Sequence, residues 1–324
     1  SKFEGNEYGA HWGTHNNTKA FFDYQNNLFV QQAKGVIDVS EWQGDIDWAK
    51  AKADGVEGVI IRLGYGWGNN ADKKAQRNIS ECKRFGIPFG IYWYSYADTP
   101  SIAKEEGAGV VAKLKRFGVR ASDLAYPVYY DLEKWTWKGH QPPTDPNVYN
   151  DIVNNWYSAL QSAGYKNLGV YSYTSYLQGP LKHADIYAKT TWVAQYGARM
   201  GFDSFPTNSR GWQYTSSGKV GGIRGNVDMN AFGNKEYVNG GSSNDLQAAI
   251  DVRRMTAVTI PNGNYYINVR SKVASSVDIP GGSAADSTAI QLYSGNGSKA
   301  QQFTFTRQSD GSYEIVNVNS GKAL

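Results

Sequence analysis

The sequence predicts a (β/α) barrel of the α/β class, followed by a small all-β module. From Gly35 to Phe232, short runs rich in β-branched and aromatic residues alternate with stretches of helical periodicity. A repeated strand–helix order gives parallel strands joined by right-handed crossovers, and roughly seven such units indicate a closed or nearly closed barrel. After about Arg254 no convincing helix remains, and strand-like runs are separated by Gly- and Pro-containing turns, which is an all-β pattern.

Composition restricts the classes of function. Hydrophobic residues make up 40% of the chain, which indicates a folded protein, and no apolar run reaches the roughly 18 residues of a membrane span. The net charge of +4 comes without a Lys/Arg run interleaved with aromatics, so no nucleic-acid partner is expected. A mildly basic surface is attracted to an anionic polymer such as a bacterial wall, and a surplus of Tyr and Trp suits stacking on sugars.

Residues 1–33 are polar and irregular and are interpreted as an N-terminal extension. Within it, His11 and His15 are four apart, a spacing that can place two metal ligands on one helix face. Gly13 disfavours a helix there and no acidic third ligand is near, so we expect no metal site. The single cysteine, Cys82, excludes an internal disulfide framework and is expected to be a buried thiol in a helix.

Residues 34–238 carry the signals of the barrel. The strand candidates are GVIDVS, GVIIRLGYG, PFGIYWYSYA, AYPVYYDLE, NLGVYSY, TTWVAQY and RGWQYTS. The stretches between them are predicted as helices. One of them, NVYNDIVNNWYSALQSAGY, has apolar residues at helical spacing and ends at Gly164, as a helix C-terminus does.

A Gly- and Ser-rich stretch, NGGSSN at 239–244, is interpreted as a linker to an all-β module at 245–324. The module contains an internal echo, because NGNYYINVRSKVASSVDI at 262–279 is similar to DGSYEIVNVNSGKAL at 310–324. Gly263 and Gly311 of these two segments are 48 residues apart, and a period of about that length indicates a repeat architecture.

Four acidic residues occupy the ends of predicted barrel strands. Asp38 ends the first strand in VIDVSEWQG, Asp131 and Glu133 end another in PVYYDLE, and Asp228 ends the last in GNVDMNAF. Active sites of parallel barrels form at the C-terminal ends of the strands, so these carboxylates are the candidates for chemistry.

The i, i+2 spacing of Asp131 and Glu133 puts both side chains on one face of a strand, with Cα atoms about 6.5 Å apart. Two carboxylates at that range cannot both ionise freely, so one pKa rises. An acid of raised pKa beside an ionised partner is the working pair of a glycosidase. The same motif could bind a metal or cap a loop, but Asp38 and Asp228 at comparable strand ends favour catalysis.

Six motifs together resemble the ordered signature of the glycoside hydrolase family 25 lysozymes. They are DVSEWQGDIDW at 38–48, RLGYG at 62–66, GIYWYSYA at 90–97, YYDLE at 129–133, WVAQYG at 192–197 and WQYTSSGKVGGIRGNVDMN at 212–230. The resemblance implies a β/α-barrel muramidase, which cuts the β-1,4 bond between N-acetylmuramic acid and N-acetylglucosamine in bacterial peptidoglycan.

The resemblance also implies roles for the four acids. Glu133 matches the general acid of the family, Asp131 the second carboxylate of its DxE motif, and Asp38 and Asp228 the aspartates of the first and last strands. Glu133 is expected to stay protonated because of Asp131. Attack by water, a covalent intermediate and attack by the substrate's 2-acetamido group all remain open, and no metal or organic cofactor is implied.

Substrate-binding positions follow from the same motifs. They are Tyr65, Tyr94, Trp192, Gln195, Tyr196 and Trp212. Several of these aromatics could instead face the barrel core. One departure lies in GIYWYSYA, where Trp93 or a neighbour stands where many relatives have His.

The C-terminal segment resembles the ricin-type β-trefoil lectins, because Gln301 to Phe303 form a Q-x-F variant of their Q-x-W signature. A trefoil needs three repeats of about 40 residues, so the segment is expected to be an incomplete set. The resemblance implies binding to carbohydrate or cell wall; the alternative is a small β module without a sugar site.

Taken together, these features predict a monomer that acts on bacterial peptidoglycan and is secreted, extracellular or in the cell wall. One alternative is a non-catalytic wall-binding protein on the same barrel, against which the four carboxylates argue. The other is a chitinase-like glycosidase, whose usual DxxDxDxE string is absent.

Overall fold

The computed structural model describes residues 3–68, 70–233, 259–269 and 272–324. The chain divides into two compact units, Ser1–Asp251 and Val252–Leu324, and each is described by itself. The linker predicted at 239–244 lies outside the described residues. No helix within the described ranges is long and apolar enough to cross a membrane.

The N-terminal residues, expected to be irregular, form a three-stranded antiparallel sheet instead. Its strands are β1 (His11–His15), β2 (Thr18–Phe22) and β3 (Leu28–Val30). Asn16 and Asn17 join β1 to β2 with φ angles of 49° and 61°, the left-handed conformation that a two-residue hairpin turn needs and asparagine tolerates. The Asn16–Asn17 pair is therefore the sequence feature that could have predicted a hairpin in this polar stretch.

Eight strands of the first unit close into a barrel, which confirms the predicted fold. They are β4 (Lys34–Val39), β5 (Gly58–Tyr65), β6 (Phe89–Tyr94), β7 (Val128–Asp131), β8 (Leu168–Tyr173), β9 (Thr190–Ala194), β10 (Gly211–Gly218) and β11 (Val227–Phe232). The order around the barrel is β10-β11-β4-β5-β6-β7-β8-β9, with β9 paired to β10.

One strand departs from the predicted parallel arrangement. The pairs from β4 through β10 are parallel, whereas β11 runs antiparallel to both of its neighbours, β10 and β4. Asp228 is therefore the second residue of β11 and does not end it. Because β11 is reversed, its beginning lies at the barrel edge where the parallel strands end, and Asp228 still reaches that edge.

Helices connect the strands. They are α1 (Trp48–Ala53), α2 (Ala75–Phe85), α3 (Pro100–Arg116), α4 (Pro146–Ser162), α5 (Thr174–Leu177) and α6 (Ala184–Tyr187). The side chains of Thr99 and Asp145 cap α3 and α4, each followed by a proline at the first helical position, where its missing N–H costs no hydrogen bond. Cys82 is buried within α2, as predicted, and Gly86 takes the left-handed conformation that ends this helix.

Large side chains fill the barrel interior. Tyr129, Tyr171, Trp192 and Phe232 are buried and pack with smaller residues from facing strands. The rings of Tyr171 and Trp192 lie 4.2 Å apart between centroids. This filling closes the middle of the barrel, so polar side chains gather only above it, at the C-terminal edge of the parallel strands.

The N-terminal sheet packs on the outer face of β10. Phe21 stacks on Tyr214 with ring centroids 4.6 Å apart and meets Trp212 edge-on at 5.4 Å. Phe29 contacts the same Trp212 at 5.4 Å. The extension is therefore part of the packed core of the first unit, since Phe21 is fully buried.

The second unit is all-β, in agreement with the predicted module. Its strands are β12 (Gly263–Tyr266), β13 (Asn268–Val269), β14 (Lys272–Asp278), β15 (Gln291–Ser294), β16 (Gln302–Arg307) and β17 (Tyr313–Asn317), arranged as two three-stranded sheets. Gln301 and Phe303 of the Q-x-F motif are buried, and Gln301 donates to the Ser294 carbonyl at 3.0 Å and accepts from the Asn296 amide at 2.9 Å. The motif thus fixes the turn between β15 and β16.

Candidate active site

The four predicted carboxylates meet in one cavity. It has a volume of about 700 Å³ at the C-terminal edge of the parallel strands, and we call it the acidic cavity. Its lining includes Asp38, Asp131, Glu133 and Asp228. Asp38 comes from β4, Asp131 is the last residue of β7, and Glu133 lies two residues beyond that strand. Three separate strands therefore deliver acids to one space.

Asp38 is held by two amide side chains on the barrel floor. Gln213 donates to its Oδ2 at 2.8 Å and Asn230 donates to the same oxygen at 2.9 Å. Asp228 lies opposite Asp38 in the β11–β4 register, and their carboxyl groups share a hydrogen bond. The two amide donors favour the ionised form of Asp38, so the proton of this pair belongs on Asp228.

Asp131 and Glu133 form the second acidic pair. Their carboxyl groups share a hydrogen bond, as the predicted proximity requires. Asp131 is buried, whereas Glu133 is half-buried and faces the cavity. Glu133 is therefore the more accessible member of the pair.

Burial raises the pKa of all four carboxyl groups. For Asp228 it acts with the neighbouring Asp38 charge and raises the pKa to about 9. The pKa of Asp131 rises well above its ordinary value, first through burial and then through Glu133. The pKa of Glu133 also rises, first through burial, against the hydrogen bond with Asp131, and then through the Asp38 charge. Burial therefore adds to the expected effect of the neighbouring Asp131 charge, and the expectation that Asp131 keeps Glu133 protonated stays a prediction.

Four of the six predicted substrate-binding residues line the acidic cavity: Tyr94, Trp192, Gln195 and Tyr196. Trp192 is buried in its floor, where its indole N–H donates to Asn230 Oδ1 at 2.7 Å. Tyr196 is about half exposed and its hydroxyl donates to Gln213 Oε1 at 2.8 Å.

The other two lie elsewhere. Trp212 is fully buried between β10 and the N-terminal sheet, because alternation along β10 points Gln213 inward and both its neighbours outward. The ring of Tyr65 lies beneath the Arg62 guanidinium at 5.4 Å and is not among the residues that line the cavity. Trp93, where the family pattern departs, is buried, with its indole N–H donating to the Gly66 carbonyl.

Sequence reasoning missed several lining residues: Arg62, Tyr92, Tyr171, Tyr173 and Gln213. Strand alternation could have found Gln213, because it lies between two outward aromatics in WQY. The hydroxyl of Tyr171 donates to Gln213 Oε1 at 2.8 Å, which orients the amide toward Asp38. The hydroxyls of Tyr171 and Tyr196 therefore hold Gln213, and Gln213 in turn holds Asp38 in place.

Arg62 is the cation of the acidic cavity. Its Nε donates to Asp72 at 2.8 Å and its terminal nitrogen to Glu41 at 3.3 Å. The guanidinium lowers the pKa of Asp131, against the larger effect of burial. Within the described ranges no group of three or more His, Cys, Asp or Glu side chains is arranged to hold a metal ion.

Comparison with known families finds two matches. The family described as glycosyl hydrolases family 25 matches residues 37–223, and the ricin-type beta-trefoil lectin domain-like family matches residues 255–324. The first match contains three of the four carboxylates, and Asp228 follows five residues after it.

Individual relatives point the same way. Lysozyme M1 of Streptomyces globisporus is 24% identical over 210 residues, which cover 60% of this chain and 66% of that protein. The autolytic lysozyme of Clostridium acetobutylicum is 25% identical over 206 residues, 63% of this chain and 57% of that one. The structure of the modular autolysin LytC from Streptococcus pneumoniae, in complex with a synthetic peptidoglycan ligand, has a TM-score of 0.63 at 36% identity, covering 68% of this chain and 52% of its own. The chain spans between about half and two thirds of the length of these relatives.

Proposed function

The chain belongs to the glycosyl hydrolases family 25, and on that basis we propose that it is a muramidase, which hydrolyses the β-1,4 bond between N-acetylmuramic acid and N-acetylglucosamine in bacterial peptidoglycan. The observation that carries the proposal is the acidic cavity, where four carboxyl groups of raised pKa meet above a closed barrel. A carboxyl group whose pKa is raised holds its proton to higher pH than usual, as the acid that protonates a leaving sugar must.

Glu133 is proposed as the general acid. It is half-buried and faces the cavity, while Asp131 lies behind it and shares its hydrogen bond. A proton held by this pair therefore reaches a glycosidic oxygen most directly through Glu133. As the leaving oxygen takes that proton, the anomeric carbon gains oxocarbenium character, and the negative charge left on the pair stabilises it.

Asp131 is proposed to orient the proton of Glu133 and to stabilise the positive charge that develops on the sugar. With one proton shared by the pair, the Asp131 carboxylate accepts the hydrogen bond of protonated Glu133 until that proton passes to the leaving oxygen. The same residue suits the orientation of a 2-acetamido group, should the substrate's own oxygen attack the anomeric carbon. Attack by water and a covalent intermediate are the other routes, and the stereochemistry of the product distinguishes inversion from retention.

Asp38 and Asp228 are proposed to bind the sugar and adjust the charge of the cavity. The amides of Gln213 and Asn230 hold Asp38 ionised, and Asp228 stays protonated beside it. This pair therefore offers a fixed negative charge and a fixed donor at one side of the cavity. Tyr94, Trp192, Gln195 and Tyr196 supply ring faces and hydrogen bonds suited to a sugar.

The second unit is proposed to hold the enzyme on its insoluble substrate. Its match to the ricin-type beta-trefoil lectin domain-like family supports carbohydrate or cell-wall binding. A tethered binding unit raises the effective concentration of an enzyme at a surface.

We accordingly propose that the protein acts outside the cell or within the wall, as a monomer with peptidoglycan as its partner. The limits proposed are an N-terminal extension at 1–33 that packs on the catalytic barrel at 34–238, and a binding module at 245–324 that follows a linker at 239–244.

The test is mass spectrometry of the products from a defined peptidoglycan, combined with a turbidity assay on cell walls. A muramidase leaves new reducing ends on N-acetylmuramic acid and clears the walls. New reducing ends on N-acetylglucosamine would contradict the proposed bond. Wall binding without any cleavage would favour the non-catalytic alternative, and cleavage of chitin oligomers without wall lysis would favour the chitinase-like one.

A further inference from the structure

A second cavity adjoins the acidic cavity and is walled by the N-terminal segment. Its volume is about 600 Å³, and we call it the N-terminal cavity. One wall is the segment from Glu4 to Tyr8, and the other is the end of β10 from Tyr214 to Gly218 with Lys219 after it. Tyr196 and Ser216 line both cavities, so the two cavities are neighbours along the barrel edge.

The N-terminal wall is fixed in place by specific hydrogen bonds. The Asn6 side-chain amide donates to the Gly197 carbonyl at 2.8 Å and to the Tyr214 carbonyl at 3.0 Å. Its Oδ1 accepts from the backbone amides of Tyr8 and Ala10, each at 3.1 Å, which shapes the turn. The cavity is thus formed before any ligand arrives, and a bound molecule need not order this loop.

The chemistry of the N-terminal cavity suits a neutral, hydroxyl-rich ligand. Thr215, Ser216 and Ser217 line one side together with Lys219, whose ammonium donates to Asn226 Oδ1 at 2.7 Å, and Glu4 and Glu7 line the other. Carboxylates and hydroxyls accept hydrogen bonds from sugar hydroxyls, and the two carboxylates with one ammonium leave a net negative charge, which disfavours an anionic peptide.

Two exposed tyrosine rings complete this surface. The exposed fraction is 50% for Tyr8 and 47% for Tyr196. An exposed aromatic ring beside polar groups offers an apolar face for a pyranose ring. Tyr196 also links the N-terminal cavity to Asp38 of the acidic cavity, because its hydroxyl donates to Gln213 and the Gln213 amide donates to Asp38.

We propose that the N-terminal cavity is an additional sugar-binding subsite, which holds the part of the glycan strand next to the sugars in the acidic cavity. This inference rests on the proposed muramidase function and adds a role for the segment before residue 37, which the family match does not include. The N-terminal sheet, anchored on β10 by Phe21 and Phe29, would then serve the substrate as well as the fold. Long strands gain from this subsite, and strands too short to reach it do not.

The experiment compares glycan strands of two lengths, one that spans only the acidic cavity and one several sugars longer. Tyr8→Ala removes one ring of the subsite, and Tyr24→Ala is the matched control, since Tyr24 is also 50% exposed on the N-terminal segment but does not line the cavity. We expect Tyr8→Ala to lower kcat/KM for the long strand about 2- to 12-fold relative to the short strand, as a ring contact worth about 0.5–1.5 kcal/mol predicts. Tyr24→Ala should leave this ratio as in the wild type.

A second variant approaches the cavity from the barrel side. Ser217→Trp fills the space without altering the N-terminal wall, and it should reduce the preference for the long strand as Tyr8→Ala does. If both variants keep the wild-type ratio of long to short strands, the subsite does not exist.

Titration calorimetry with the same two strands separates this inference from the proposed function. A wild-type protein that cleaves neither strand contradicts the muramidase proposal. If it still binds the long strand more tightly than the short one, and Tyr8→Ala abolishes that difference, the subsite is supported independently of turnover. Equal affinity of the wild type for both strands would overturn it.

Discussion

Asp228 lies directly opposite Asp38 across the antiparallel pair of β11 and β4, and their carboxyl groups share a hydrogen bond. Both side chains are largely removed from water, and two negative charges in contact there are strongly unfavourable. The pair therefore keeps one proton until the pKa of Asp228, about 9, is reached. The stability of the barrel therefore depends on the protonation of Asp228.

We predict that Asp228→Asn makes the stability of the protein less sensitive to pH. The unfolded pKa of an aspartate is about 3.9, so between roughly pH 4 and pH 9 the folded state binds a proton at Asp228 that the unfolded state does not. The free energy of unfolding contributed by this group therefore falls as pH rises. Thermal unfolding at pH 5 and pH 8 should show a smaller loss of Tm in the variant than in the wild type. Asp151→Asn, on an exposed site of α4, is the control and should retain the wild-type loss.

Glu133→Gln should abolish wall lysis while the protein stays folded. Glutamine keeps the size of the side chain but has no proton to give to the leaving oxygen, and general acid catalysis is commonly worth 10²–10⁴-fold. The measurement is kcat/KM on purified walls, with circular dichroism as the check on folding. Glu105→Gln, at an exposed position of α3, is the matched control. Retention of more than about a tenth of wild-type activity by Glu133→Gln would contradict the assignment.

The variant Asp131→Asn should lower activity and move the alkaline limb of the pH–rate profile to lower pH. In the wild type, the last proton of the Asp131–Glu133 pair is held well above the ordinary range, because its loss would place two charges together in a buried site. With an amide at position 131, Glu133 ionises alone, and the amide N–H stabilises the carboxylate. The active protonated form is then lost at lower pH. A limb that stays in place or moves upward would show that the two carboxyls do not titrate as a pair.

The sequence predicted the barrel because strand and helix signals alternate clearly, but it could not predict the direction of the last strand. An apolar run such as VDMNAF marks a strand without marking its direction. The expected end of that strand, Asp228, lies at the beginning of β11. Reversing the strand exchanges its ends, so Asp228 still lies opposite Asp38 at the same edge of the barrel.

Aromatic positions were harder to predict than acidic ones. An acidic side chain at a strand end is rarely placed in the apolar core, because burial without a partner is costly. A tryptophan is stable both in a cavity wall and in a core, so Trp192 and Trp212 were indistinguishable by residue type. The N-terminal sheet decided the difference: Phe21 and Phe29 cover Trp212, while Trp192 faces the barrel interior. That contact joins residues nearly two hundred positions apart and leaves no local signal.

The final prediction is that residues 1–238 form an active enzyme without the remainder of the chain. The closed barrel ends with β11 at Phe232, and its buried core is drawn from residues up to and including Phe232. All four carboxylates of the acidic cavity also lie before it. The second unit buries its own residues, such as Ile279 and Phe303, so removing it should expose no core of the barrel.

Deletion of the second unit should weaken binding to intact walls and spare turnover of small soluble muropeptides, because a binding unit raises local concentration only on an insoluble polymer. Retaining residues 1–33 is essential to the design, since Phe21 and Phe29 cover Trp212 and Tyr214 on β10. A parallel deletion of that segment should lower Tm and expose these rings, with increased intrinsic tryptophan quenching as the measurement. If the 1–238 protein fails to fold, or loses activity on the soluble substrate, the catalytic unit extends further and the proposed boundary is misplaced.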